Sequence, residues 1–348
     1  MPSGATNFVV AYVCSAPSFP IFEDIFELST ADGTSYTLPC PAPDPALTTG
    51  TLTGNIDGSA IPGVSTLDLA ITNGSEGFVS GVSSGANFSL NVPAGNDRAL
   101  ILAYSSPLQG YALVGAKSLM NQPVPGALNG GSQVVLGPAD AVTVYQPITY
   151  SNAPAAYSAP VTIADYIMSG GRGFSIGNYT TSFPVFPSGA AVGGDFYETF
   201  AMAASSAKPT EMMILAKSFT SAGPLSFAFP SPWPYAGPQP AALPTFDLSY
   251  AGFGGKTGVY EAAYMDWSKP TIGNYEIYVV ASSNYLNGAA ALAVPDLSAL
   301  PGFLAPPSAG TSVNWVALIA QDSAGIAMPL SSSATITTVE NSGTYTVP

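Results

Sequence analysis

The chain has 348 residues, 47% apolar and only 8% charged, with 21 carboxylates against 7 cations and no histidine, for a formal net charge of −14. That much apolar content builds sizeable cores, so a disordered chain is excluded, and so few cations cannot neutralise phosphates, which excludes nucleic acid as a partner. Without histidine there is no Ser-His-Asp or Cys-His nucleophile system and no His-ligated metal, and two cysteines cannot build a four-thiolate cluster.

Helical periodicity is almost absent. Short apolar or alternating runs recur instead, bounded by the 36 Gly and 33 Pro and by Asn and Ser, the pattern of an all-β chain of tandem antiparallel sandwiches. In chain order the predicted strands begin with TNFVVAYV (6–13), STLDLAIT (65–72), NFSLNV (87–92), RALILAY (98–104), QVVLG (133–137) and AVTVYQPITY (141–150). DFYETFAMAA (195–204), EMMILAKSF (211–219), GVYEAAYMDW (258–267), YEIYVVASS (275–283), VNWVALIAQ (313–321) and ATITTV (334–339) follow. So many strands demand two sandwiches, with three as the alternative count. The predicted division is an amino-terminal strand segment over 1–45, a first sandwich over 46–150 and a second over 151–348, the break falling where Pro and small residues interrupt QPITYSNAPAAYSAPV. A Pro cluster, PSPWPYAGPQPAALP (230–244), is expected to cross a sheet as an ordered loop, with a polyproline II ligand segment as the alternative.

Within the first sandwich, residues 50–105 carry an ordered set of elements: Leu52-Thr53-Gly54-Asn55-Ile56, the turn at Pro62-Gly63, Leu67 to Ile71, Gly85 leading into Phe88-Ser89-Leu90, then Val92-Pro93-Ala94-Gly95 and Leu100-Ile101-Leu102. This stretch resembles the carboxypeptidase regulatory-like, prealbumin-like β-sandwich module of secreted and surface proteins. The resemblance implies a structural spacer with no active site of its own. The second half is loosely similar to fibronectin type III-like domains, as in bacterial surface lipoproteins.

Cys14 and Cys40 lie among prolines and are expected to pair, stapling the amino-terminal segment by about 3 kcal/mol; two buried thiols are the alternative. The opening residues show no basic region before a long apolar run, and no apolar stretch is long enough to span a membrane, so no signal peptide and no membrane span are expected in this sequence. The expected location is extracellular or at the cell surface, in keeping with the paired cysteines and with what the resemblance to modules of secreted and surface proteins implies. Asn73, Asn87 and Asn178 open glycosylation sequons.

Candidate chemistry is sparse. Asp195 with Glu198, and Glu261 with Asp266, are the carboxylate pairs that could serve glycoside hydrolysis. On strands the members of each pair point to opposite faces, so they read as solvated positions, and no catalytic residue is predicted. NIDGS and AGNDR are acidic turns in which Asp57 and Asp97 are candidate calcium ligands, although both also read as plain Asx turns. No other cofactor is expected. Trp233, Tyr235, Tyr264 and Trp267 would stack on sugars if exposed in a row and belong to the core if buried.

The predicted function is a non-enzymatic structural or adhesive surface protein that assembles into a homo-oligomer or polymer. Its terminal strands are nearly uncharged, lack the lysines that guard sheet edges, and could add to a neighbour's sheet. A carbohydrate-binding module with a glycan partner is the alternative, and a viral coat protein a third.

Overall fold

The computed structural model describes residues 6–14, 21–32, 48–73, 76–105, 112–169, 173–250, 252–253, 259–269, 273–287, 289, 291–323 and 335–348. The first two strands, β1 (Asn7–Cys14) and β2 (Ile21–Ser29), form an antiparallel hairpin pair. Eight short to medium strands follow: β3 (Thr49–Asp57), β4 (Val64–Asn73), β5 (Glu76–Val82), β6 (Asn87–Pro93), β7 (Gly95–Ser105), β8 (Ala112–Val124), β9 (Gly126–Ala127) and β10 (Val134–Val135). Next come β11 (Tyr145–Ser151), β12 (Val161–Ile167), β13 (Gly173–Tyr179), β14 (Ser182–Pro184), β15 (Phe196–Ala204), β16 (Glu211–Phe219), β17 (Leu225–Ala228) and β18 (Thr245–Asp247). The last are β19 (Val259–Lys269), β20 (Gly273–Ser282), β21 (Ala291–Ala293), β22 (Ser312–Asp322) and β23 (Thr335–Thr346). The one α-helix among the described residues, Ser283–Leu286, is a single turn, and no described helix is long and apolar enough to cross a membrane.

The fold is all-β, as the alternating pattern predicts. β3 to β10 make a sandwich: one sheet runs β5-β4-β7-β8, the other β10-β3-β6 with β9 also paired to β3. The remaining strands centre on a ten-stranded sheet in the order β1-β2-β20-β19-β22-β23-β16-β15-β12-β13. The amino-terminal pair is therefore part of the carboxy-terminal body, because β2 adds in parallel to β20; it is not a unit apart. β11 also belongs to that body, through its pairing with β14 and β17, so the change of body lies before Tyr145 rather than at 150.

β7 shows how the two bodies share a core. In NDRALILAYS, alternate side chains go to opposite faces. Ala99, Ile101 and Ala103 enter the sandwich core with Leu67, Leu69 and Ile71, while Leu100, Leu102 and Tyr104 enter the larger core with Tyr166, Phe183 and Met213. A strand buried on both faces reads as a continuous apolar run rather than as an alternation.

The Pro cluster crosses the large sheet without strand structure, and its rings make the fit. Trp233 stacks on Tyr235 at 4.9 Å, and Tyr235 meets Trp315 of β22 edge-on at 5.7 Å. Trp315 lies between two glycines. A Cβ on Gly237 would come within 2.7 Å of its ring and one on Gly343 within 2.9 Å, and Gly237 also holds φ +98. Gly237→Ala is therefore expected to cost about 2 kcal/mol or more, from left-handed strain plus overpacking, read as a lowered urea midpoint with an unchanged slope. A loss under about 0.5 kcal/mol would mean that the ring is not held by the loop.

Candidate functional site

β1 forms one border of the ten-stranded sheet. Its sequence, NFVVAYVC, contains no charge, no Pro and no Gly. It pairs through one side only, Asn7 to Cys14 against Ser29 to Phe22 of β2, and no described strand lies on its other side. In an antiparallel pair, alternate backbone N–H and C=O groups point away from the partner, so β1 presents a row of donors and acceptors. Val9 on this strand is 49% exposed. The Asn7 side chain donates to the Tyr285 carbonyl at 3.2 Å and fixes the start of the strand.

Proteins usually blunt such borders with lysines, prolines, bulges or a covering element. The opposite border shows two of these devices. β13 carries a register shift opposite Ala164 and Asp165 with Gly177 at φ +134, and the Tyr104 hydroxyl of the sandwich donates to the Ser175 carbonyl at 3.2 Å. β1 carries none of the sequence devices. The other terminal strand departs from expectation: β23 pairs with β16 on one side and β22 on the other, so it is interior and cannot be lent to a neighbour without opening the sheet. Its hydroxyl-rich sequence reflects the open outer face of the sheet, not a border position.

Four cations, Arg98, Lys117, Lys208 and Lys217, act as tethers. Arg98 is 6% exposed and pairs with Asp195 at 2.7 Å, its other nitrogens donating to the Ser118 hydroxyl and the Ala190 carbonyl. Asp195 also accepts from the Tyr166 hydroxyl at 2.6 Å and from the amides of Ser169 and Val192, both at 2.8 Å. Burial pushes the Asp195 carboxyl up, but Arg98, Tyr166 and the two amides outweigh it and hold it below the usual range. This cluster joins the small sandwich to the larger body. Lys117 binds Asp140 at 2.9 Å, Lys208 donates to the Tyr235 carbonyl and the Asn341 side chain, and Lys217 donates to the Ser226 carbonyl.

Of the four carboxylates expected to be solvated, Asp195 and Glu198 prove to be enclosed, which corrects that expectation for them, while Glu261 and Asp266 are part-exposed. Asp195 is 6% and Glu198 8% exposed, and Glu261 is half-buried with its carboxyl raised to about 7 by burial and by the nearby charge of Asp247. Neither pair converges, in keeping with strand alternation: Asp195 turns to Arg98 and Tyr166 in the core, and Asp266 accepts from Asn314 on the other face. A cleft of about 280 Å³ between the two bodies is lined by Pro138, Ala141, Val144, Val185, Phe186 and Pro187 among others, none of which titrates.

The aromatic residues do not make a sugar platform. Trp233, Tyr235 and Trp267 are 4%, 8% and 2% exposed, and Trp267 stacks on Tyr275 inside the core. Only Tyr264 is half-exposed, on the opposite sheet face from Trp267. Asp57 sits in an Asx turn, accepting from the Ser59 amide at 2.9 Å and from Ser84, which lowers its carboxyl. Asp97 is not in a turn. It lies within β7, fully buried, both oxygens without a hydrogen-bond partner, its carboxyl raised by burial. Cys14 is buried and is not a free thiol, whereas Cys40 lies outside the described residues.

Compared with known proteins, the sequence matches no family model and no curated protein. Among solved structures, one chain of a 1.5-MDa bacterial ice-binding adhesin is similar over 86% of this chain and 97% of that one, at 10% identity and a TM-score of 0.13. A likeness of that size carries no argument about this chain.

Proposed function

We propose that the protein is a non-enzymatic structural or adhesive component of an extracellular surface, and that copies associate by strand addition at β1. The observation that carries this reading is the contrast between the two borders of one sheet: β13 is bulged and covered, whereas β1 is uncharged and has no described strand beside it. The small sandwich supports the same reading as a spacer of the carboxypeptidase regulatory-like kind, since its two sheets close on an apolar core and its exposed Asp57 is absorbed in a turn. Arg98, Lys117, Lys208 and Lys217 serve as internal ties, which suits a part that works by shape.

Val9→Lys places a charge on the exposed border. The expected result is a folded, two-state monomer by light scattering and circular dichroism, in conditions where the parent chain forms larger particles. Particles of unchanged size and yield from the variant would remove strand addition at β1.

A further inference from the structure

We propose that Asp165, Glu198 and Ser218, with Ser175 at the margin, form a binding site for a divalent cation of the calcium type on the outer face of the large sheet. β13, β12, β15 and β16 lie side by side, and their register sets Ser175 opposite Asp165, Asp165 opposite Glu198, and Glu198 opposite Ser218. Matched positions on neighbouring strands face the same way, so four oxygen-bearing side chains stand in one row, about 5 Å from strand to strand.

Two carboxylates directly opposed on a sheet repel each other. None of Arg98, Lys117, Lys208 and Lys217 answers them. Lys217 adjoins Ser218 in sequence, but its ammonium goes to the other face, to the Ser226 carbonyl and over the Phe227 ring at 5.2 Å. Arg98 is engaged with Asp195 on the core side.

Two side chains of the row point to a ligand independently of the charge pair. Glu198 is 8% exposed, and its Oε1 is buried with no hydrogen-bond partner. Ser218 is 7% exposed and its Oγ is likewise buried and unpartnered, although a hydroxyl rotates freely and sits opposite a carboxylate. A buried polar atom left without a partner costs about 1–3 kcal/mol, so two of them side by side, in line with a repelling charge pair, mark a place where a third party supplies the missing interaction.

The chemistry selects the ligand. A proton shared with Asp165 through Glu198 Oε1 would draw the two oxygens to about 2.5–2.7 Å, and that oxygen has no hydrogen-bond partner, while the Ser175 hydroxyl bonds to Asp165. A calcium ion takes oxygen ligands at about 2.3–2.6 Å each and so holds two carboxylates apart. It accepts irregular coordination from carboxylates, hydroxyls and water, which magnesium, with its strict octahedron, does not. Asp165 is half-exposed and Ser175 exposed, which leaves an entry route and room for water ligands.

The test uses the whole chain, melted at pH 7.5 in 10 mM calcium chloride and in EDTA. For a site in the millimolar range of extracellular modules, the melting temperature should rise by about 2–4 °C in calcium. The rise should vanish in Glu198→Gln and in Asp165→Asn, and persist in Asp57→Asn, which alters the exposed Asx turn instead. Both amide variants keep the side-chain shape and relieve the repulsion, so both should melt no lower than the parent in EDTA. Equilibrium dialysis with radiolabelled calcium should lose about one bound ion per chain in the same two variants. A parent melting temperature unmoved by calcium, or a rise and a bound ion that survive both substitutions, overturns the site.

Discussion

Replacing Arg98 by Met is expected to destabilise the protein by about 3–5 kcal/mol. The size follows from what remains behind. Asp195 would stay buried at 6% exposure with its counter-charge removed, while the Ser118 hydroxyl and the Ala190 carbonyl lose the guanidinium and keep only each other. Asp195→Leu should cost a similar amount, because it leaves the buried guanidinium without a counter-charge, and its Nη1, the Tyr166 hydroxyl and the amides of Ser169 and Val192 without that acceptor. The double variant, Arg98→Met with Asp195→Leu, should recover part of either loss, since an ion pair replaced as a unit leaves no lone charge. Urea unfolding followed at the tryptophans reads all three. Single variants within 0.5 kcal/mol of the parent would show that the two bodies are not held through this pair.

Stability should also fall as the pH rises from about 5 to about 7.5. Burial raises the carboxyls of Glu23, Asp24, Glu27, Asp68, Asp97, Asp165, Glu198, Glu261 and Glu340, Glu261 reaching about 7 with help from Asp247. A carboxyl with a raised folded value keeps its proton longer in the folded chain than in the unfolded one. Its stabilising contribution is therefore complete below the ordinary carboxyl range and is lost as the pH climbs through the folded value. The opposite group, Asp57, Asp195, Asp247 and Asp296, is held low by hydrogen bonds and, for Asp195, by Arg98, and loses its contribution only as the pH drops below the ordinary range. The two sets leave a maximum near pH 5, and the absence of histidine removes the usual charging near neutrality. Glu261, moved from 4.5 to about 7, accounts for at most about 3 kcal/mol of the fall. Glu261→Gln should therefore flatten the profile between pH 5 and 7.5 and stabilise the protein at the upper end. A melting temperature that rises steadily to pH 7.5 would contradict the burial of these acids.

Much of the fold is legible in the residues. The apolar runs in β7, β19, β20 and β22 have no other home than a sheet. β2 escapes because Glu23, Asp24 and Glu27 break its apolar pattern, yet Glu23 is inside, accepting from the Leu304 amide at 3.1 Å, and the strand is held by Ile25 and Leu28. β8 escapes because ALVGAKSLMNQPV mixes small and polar residues that suit a strand packed between two cores.

Of the candidate site, β1 is visible as an uncharged strand, but its place at a border depends on a parallel pairing with residues some 250 positions on, which no local pattern encodes. The same holds for Arg98. A lone cation opening an apolar strand signals that a partner exists, and nothing in the neighbourhood of either residue points to Asp195. The aromatic cluster misleads for a related reason: rings among prolines look exposed, and only the two glycines beside Trp315 reveal how closely the loop lies on the sheet.

Amide hydrogen exchange on β1, compared between dispersed monomer and assembled protein, tests the assembly most directly. Amides of residues 7–14 that point away from β2 should exchange quickly in the monomer and become protected by orders of magnitude in the assembly, with β13 unchanged. Equal exchange of those amides in the two states, with protection gained elsewhere, would show that the copies meet at another surface.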